Sequence, residues 1–234
     1  MSMPATTAGL MPDPVRFAPK RSRFMQNAID PGVRHLRQTI RARLMSALGV
    51  GTGESVIDLP TTGLRELSIH SFDVVLADFD VMHHTGPYEL ATELFRICRF
   101  GGRIGLACPT PESFPARVRQ TIDAYLSPSN VAPYAQLEGT RESLNEWFGA
   151  GAMALGAANR SVTLDYSSTE HWLADWLSSY QPLKHAFVLL ESGQRVRLRD
   201  DLVRLAKSSS APVRGFLRIR CDYLECLVHK GMPQ

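Results

Sequence analysis

Between Phe72 and Cys108 the apolar positions change period twice. Val74, Val75, Leu76, Ala77 and Phe79 form a nearly continuous apolar run, the pattern of a strand covered on both faces by helices. After a short polar loop, Leu90, Ala91, Leu94, Phe95 and Cys98 recur at helical spacing, and Arg99 places a cation where a helix dipole is negative. The pattern predicts a helix that stops at Gly101-Gly102, then a second strand over Arg103 to Cys108. Strand, helix and strand make a right-handed crossover unit, which puts the chain in the α/β class.

Elsewhere the same two periods lay out the remaining elements. A helix opens at Pro31 and runs to Leu48, with Val33, Leu36, Ile40, Leu44 and Ala47 on one face and Arg34, Arg37, Arg41 and Arg43 mostly off it. Glu54 to Leu59 reads as a first strand. Past the Pro109-Thr110-Pro111 break, Phe114, Val118, Ile122 and Tyr125 share a helix face. Thr140 caps a helix anchored by Leu144, Trp147 and Phe148 and closed by Gly149. Arg160 to Tyr166 alternates as a strand, and Thr169 to Tyr180 is helical. Further helices cover Leu183 to Glu191 and Gln194 to Lys207, with a loop over Ser208 to Pro212. Phe216 to His229 alternates as a long last strand. Residues 1–22 hold Pro4, Pro12, Pro14 and Pro19 and nothing periodic to bury; they read as a mobile arm ahead of one domain over 23–234.

Composition narrows the function classes. A chain of 234 residues, 44% hydrophobic and 21% charged, can bury one full core. Its net charge of +3 is small, and its densest basic cluster, Arg195, Arg197, Arg199, Arg204 and Lys207, reads as a solvated helix face, so no nucleic-acid partner is expected. Cys98, Cys108, Cys221 and Cys226 lie inside apolar patterns without CxxC pairing, which predicts buried free thiols. No apolar run reaches the roughly 18 residues needed to cross a bilayer, so no membrane partner and a cytoplasmic location are expected.

Phe72-Asp73-Val74-Val75, the loop with His83-His84, the helix over Arg96 to Arg99 and the Gly101-Gly102-Arg103 turn together resemble the class I S-adenosylmethionine (SAM) dependent methyltransferases of small molecules. Gly49 to Asp58 resembles the "G-x-x-x-G-x-x-V-L-D" run leading into that family's first strand. It precedes a strand, so its glycines are misplaced for a phosphate loop. The resemblance covers residues 34 to 230 and implies a three-layer Rossmann-like methyltransferase fold, its mostly parallel sheet ending in an antiparallel strand. It also implies SAM as cofactor, contacted by Asp58, Thr61, Thr62, Gly63, Asp78 and Phe79, with His83 and His84 bordering the transfer site. An imidazole there could take a proton from a substrate hydroxyl. The aromatic stripe Trp172, Trp176 and Tyr180 fits either a substrate pocket or core packing. No metal is expected, since adjacent histidines without a third spaced ligand are not a metal pattern.

The chain departs from the family where SAM would be held. After Asp58 it reads Leu59-Pro60-Thr61-Thr62-Gly63, with one glycine where the backbone must approach the cofactor closely. Only eight residues, Leu64 to Ser71, then precede the next strand, too few for a helix and two strands, one of which would bring the ribose-binding acid. Two functions follow. One is a SAM-dependent methyltransferase of a small molecule with a reduced cofactor site. The other is a degenerate homologue without SAM binding, acting as a binding or partner subunit or catalysing a non-methyl reaction in the same pocket. The shortening leaves the first strand at an open edge, so a homodimer or a partner chain covering Glu54 to Leu59, or contact through the N-terminal arm, is expected.

Overall fold

The computed structural model describes residues 32–59, 64–78, 86–127, 139–211 and 216–232. The arm, Thr61, Thr62, Gly63, Phe79, His83 and His84 lie outside them. Helix α1 (Val33–Ala47) buries Val33, Leu36, Ile40 and Leu44 of the stripe its periodicity marked, while Ala47, placed on the same face, is exposed in the last turn. Strand β1 (Val56–Asp58) leads through a 3-10 turn at Leu64–Glu66 into β2 (Phe72–Ala77). Then come α2 (Pro87–Ile97), β3 (Cys98–Pro109), α3 (Phe114–Asp123) and α4 (Arg141–Phe148). Strand β4 (Ala152–Tyr166) is followed by α5 (Thr169–Ser179), α6 (Gln181–Leu189), α7 (Ser192–Ser209), β5 (Ser210–Ala211) and β6 (Leu217–Lys230).

The sheet runs β1-β2-β3-β6-β4, with β5 pairing the start of β6. Pairing is parallel for β1–β2 and β2–β3, and antiparallel wherever β6 takes part, so β6 alone runs against the other strands. This is the mostly parallel sheet with one reversed strand that the resemblance implied. Helices α1, α3, α5, α6 and α7 cover one face and α2 and α4 the other, giving three layers with a core on each side of the sheet. Among the described residues β1 is an edge strand: Ser55, Ile57 and Leu59 turn toward β2, as the bonds from Asp73 N–H to Ser55 O and from Leu59 N–H to Leu76 O show, both at 2.9 Å.

Several boundaries differ from the sequence reading. Helix α2 ends at Ile97, not at Gly101-Gly102, and β3 begins at Cys98 rather than Arg103. The N–H groups of His70 and Ser71 take the carbonyls of Arg96 and Ile97 at 2.9 Å, and Lys230 Nζ donates to those of Phe95 and Cys98 at 2.5 and 2.7 Å. With these carbonyls satisfied from outside, the helix has no need of a further turn. Arg99 consequently lies in β3 and pairs with Asp73 rather than ending the helix. Strand β4 begins at Ala152, eight residues before Arg160, because it pairs with β6 in one register from Ala154 to Tyr166, with an irregularity between Ala152 and Ala154 at its start. The expected loop at Ser208 to Pro212 is in part the last turn of α7 and in part β5. All four cysteines are free and buried, and burial pushes the Cys98 thiol up to about 11. Among the described residues no helix is long and apolar enough to cross a membrane.

Candidate functional site at the carboxyl edge of the sheet

Ligands of open α/β sheets sit beyond the carboxyl ends of the parallel strands. Here Asp58 closes β1 and Asp78 follows β2. Alternation places Val56 and Asp58 on the same face as Val74, Leu76 and Asp78, the face that α1 covers. From α1, Arg37 Nε donates to Asp78 Oδ2 at 2.8 Å, and Arg41 Nη1 lies 3.0 Å from Asp58 Oδ2. The arginines are 39% and 49% exposed at their side chains, against 15% for Asp78 and 33% for Asp58. The carboxylates therefore lie beneath and the guanidinium groups above. Burial raises the Asp58 pKa, Arg41 and Arg37 oppose the shift, and the nearby charge of Asp78 adds to it.

Both ends of α1 are tied down. At its start the Asp175 carboxylate of α5 accepts the Val33 N–H at 2.9 Å and the Tyr166 hydroxyl at 2.8 Å. Past its end, Arg103 Nη1 donates to the carbonyl of Leu48 at 2.6 Å, and its Nη2 pairs with Glu54, whose other oxygen accepts the Gly51 N–H at 2.7 Å. The glycine-rich stretch Gly49 to Gly53 is thus a turn folded around the Arg103–Glu54 pair.

Of the residues singled out from the sequence, Asp58 and Asp78 meet at this edge. Trp172, Trp176 and Tyr180 do not join them: they are 0%, 2% and 5% exposed and stack among themselves, with Phe114 edge-on to both indoles. The stripe therefore takes the core-packing role. The sequence reading missed Arg37 and Arg41 as site residues. The available signal was their one-turn spacing on the flank of the α1 apolar stripe.

These groups fit SAM poorly. Among the described residues no strand lies outside β1 to bring the ribose-binding acid, since β1 pairs directly with β2 and begins the sheet. The two carboxylates that could face a sulfonium or an ammonium are each engaged by a guanidinium. Among the described residues no group of three or more His, Cys, Asp or Glu side chains is placed to hold a metal ion.

A candidate methyltransferase from an antibiotic biosynthesis pathway of Anabaena variabilis is similar in structure, with a TM-score of 0.51 and 13% identity over 86% of this chain and 98% of that one. A candidate methyltransferase from Bacillus halodurans matches 82% of this chain and 98% of its own, at 13% identity and a TM-score of 0.46. The YcgJ protein of Bacillus subtilis matches 82% of this chain and 77% of its own, at 15% identity and a TM-score of 0.42. No model of a known protein family matches the chain, and no curated protein matches it in sequence. The Anabaena likeness establishes a class I methyltransferase fold; identity this low carries the fold alone.

Proposed function

We propose that this chain is a degenerate methyltransferase-fold protein, one that has lost SAM binding and uses the carboxyl edge of its sheet to bind a small molecule. The observation that carries this reading is the direct pairing of β1 with β2 at the start of the sheet, Val56 to Val74 through Asp58 to Leu76. A SAM site spreads its ligand across the ends of β1 and of the strands beyond it, and here that side of β1 has no strand among the described residues. The Arg41–Asp58 and Arg37–Asp78 pairs support the same conclusion, because the positive groups face outward where a cationic sulfonium would approach. A SAM-dependent small-molecule methyltransferase, the other function implied by the sequence, needs that cradle more than it needs acid–base residues. Methyl transfer depends chiefly on aligning nucleophile, methyl carbon and sulfur.

Isothermal titration of the purified chain with SAM and with S-adenosylhomocysteine tests the proposal. The expected outcome is no saturable heat and no thermal shift with either ligand. Micromolar binding of either would return the chain to the methyltransferases, and acceptor screening would then follow.

A further inference from the structure

We infer that the flank of α1 above the ends of β1 and β2 binds a small dianion, a dicarboxylate or a phosphate, held by Arg34, Arg37 and Arg41. The inference rests on the proposed release of this site from SAM and names the ligand class that the remaining groups suit. Helical geometry carries the first step. At about 100° per residue, positions 34, 37 and 41 fall within about 60° of one another. They border the stripe of Val33, Leu36, Ile40 and Leu44 that faces the sheet, on the side toward β1 and β2. Arg43 falls on the opposite flank and pairs with Glu225 of β6 at 3.2 Å, so it takes no part.

Charge carries the second step. Among the described residues this flank carries three arginines and two carboxylates, each carboxylate paired with one arginine, so Arg34 adds a positive charge that no described carboxylate pairs. Asp58 and Asp78 are the less exposed partners, so they act as half-buried counter-ions that fix the guanidinium groups of Arg41 and Arg37 from below. The Asp58 contact takes Nη1 of Arg41, and a guanidinium has five N–H donors. Among the described residues Arg34 makes no ion pair. A planar fork of N–H groups is matched by the two oxygens of a carboxylate or a phosphate. Side chains one helical turn apart have Cβ atoms about 5–6 Å apart, so a phosphate or a short dicarboxylate can meet two of them at once.

The test uses the full chain and two probes, inorganic phosphate and succinate, titrated calorimetrically at constant ionic strength. Saturable binding of at least one is expected, weakened about tenfold, the value of one charge-assisted contact, by Arg34→Gln and by Arg41→Gln. Arg34→Gln removes no ion pair of the described fold, so its effect on binding is separable from any effect on folding. Arg199→Gln, on α7, is expected to leave binding unchanged. Absence of saturable heat with both probes would overturn the inference, as would binding that survives both the Arg34 and the Arg41 substitution. Titration of the same sample with SAM separates the two proposals. SAM binding alone removes both, SAM binding alongside anion binding removes only the loss of SAM, and silence from all ligands removes only the dianion.

Discussion

The carboxylate of Asp175 joins three elements at one point. It accepts the Val33 N–H that opens α1 and the hydroxyl of Tyr166 at the end of β4, and the Trp176 indole donates to that same hydroxyl at 3.2 Å. Burial and the adjacent Asp175 charge push the Tyr166 hydroxyl up, so it stays a donor at any physiological pH. Gly32 is required by the same contact: a Cβ built there would lie 2.0 Å from Asp175 Oδ2. Asp175→Ala strands a hydroxyl in the core and frees a helix N–H, so it should cost about 3 kcal/mol in urea unfolding, while Asp175→Asn, which keeps an acceptor, should cost about 1 kcal/mol. Gly32→Ala should destabilise the native background by at least as much as Asp175→Asn and do little in the Asp175→Ala background, because the collision has gone. Equal costs in the two backgrounds would mean that the carboxylate is not what confines residue 32. None of this was legible in the sequence, where Val33 and Asp175 are 142 positions apart and Asp175 sits among helix-forming residues with no local mark.

At the scale of elements, the pairing of β1 with β2 depends on a side-chain link as well as on the ladder. Asp73 Oδ2 accepts the Ser55 N–H at 2.7 Å and the Ser55 hydroxyl at 2.5 Å, and Arg99 of β3 pairs with its other oxygen. The Ser55 hydroxyl is the chief cause that lowers the Asp73 pKa, helped by the Ser55 N–H and by Arg99. A depressed carboxyl contributes stability that is complete above its unfolded pKa, about 4, and is lost as pH falls through the folded value. Asp58 runs the other way, since its raised pKa makes the folded state bind the proton first and favours folding as pH falls. Asp73→Asn should therefore lose less stability than the native chain between pH 6 and pH 3, as read from urea midpoints at the two values. An unchanged loss would place the acid sensitivity outside the β1–β2 link. What the sequence showed at this scale was whatever local chemistry decides: Thr140 and Gly149 bound α4, and the burial periods of α1 and β6 match their apolar residues. What it did not show was set by partners distant in the chain. The first half of β4 is partly exposed and lacks clean alternation, yet it stays extended because it pairs with β6; α2 stops early because the His70 and Ser71 N–H groups take the carbonyls of Arg96 and Ile97 and Lys230 takes that of Phe95.

For the molecule as a whole, the crossover unit could be read from periodicity and the single reversed strand from the family resemblance, while the direct passage from β1 to β2 could be read from spacing, because element lengths leave few ways to lay out eight residues between Gly63 and Phe72. The role of the later helices could not. Helices α5, α6 and α7 look like an appendage between two strands, yet Leu198, Leu202 and Ala206 of α7 belong to the same buried cluster as Val74 and Leu76 of β2 and Ile219 of β6. This core reaches the α1 helix that carries Arg37 and Arg41, so the helical layer and the candidate site are expected to unfold together. Leu198, wholly buried on α7, tests this from the far side of the layer. Leu198→Ala should lower stability by about 2–5 kcal/mol. In a Trp147→Phe background, which leaves Trp172 and Trp176 of α5 as the fluorophores, it should also move the tryptophan fluorescence transition and the far-UV dichroism transition by the same amount, with one midpoint for both. A fluorescence transition that came first and left the sheet signal in place would make α5 to α7 a separately unfolding unit, and α1 would then owe its position to the sheet alone.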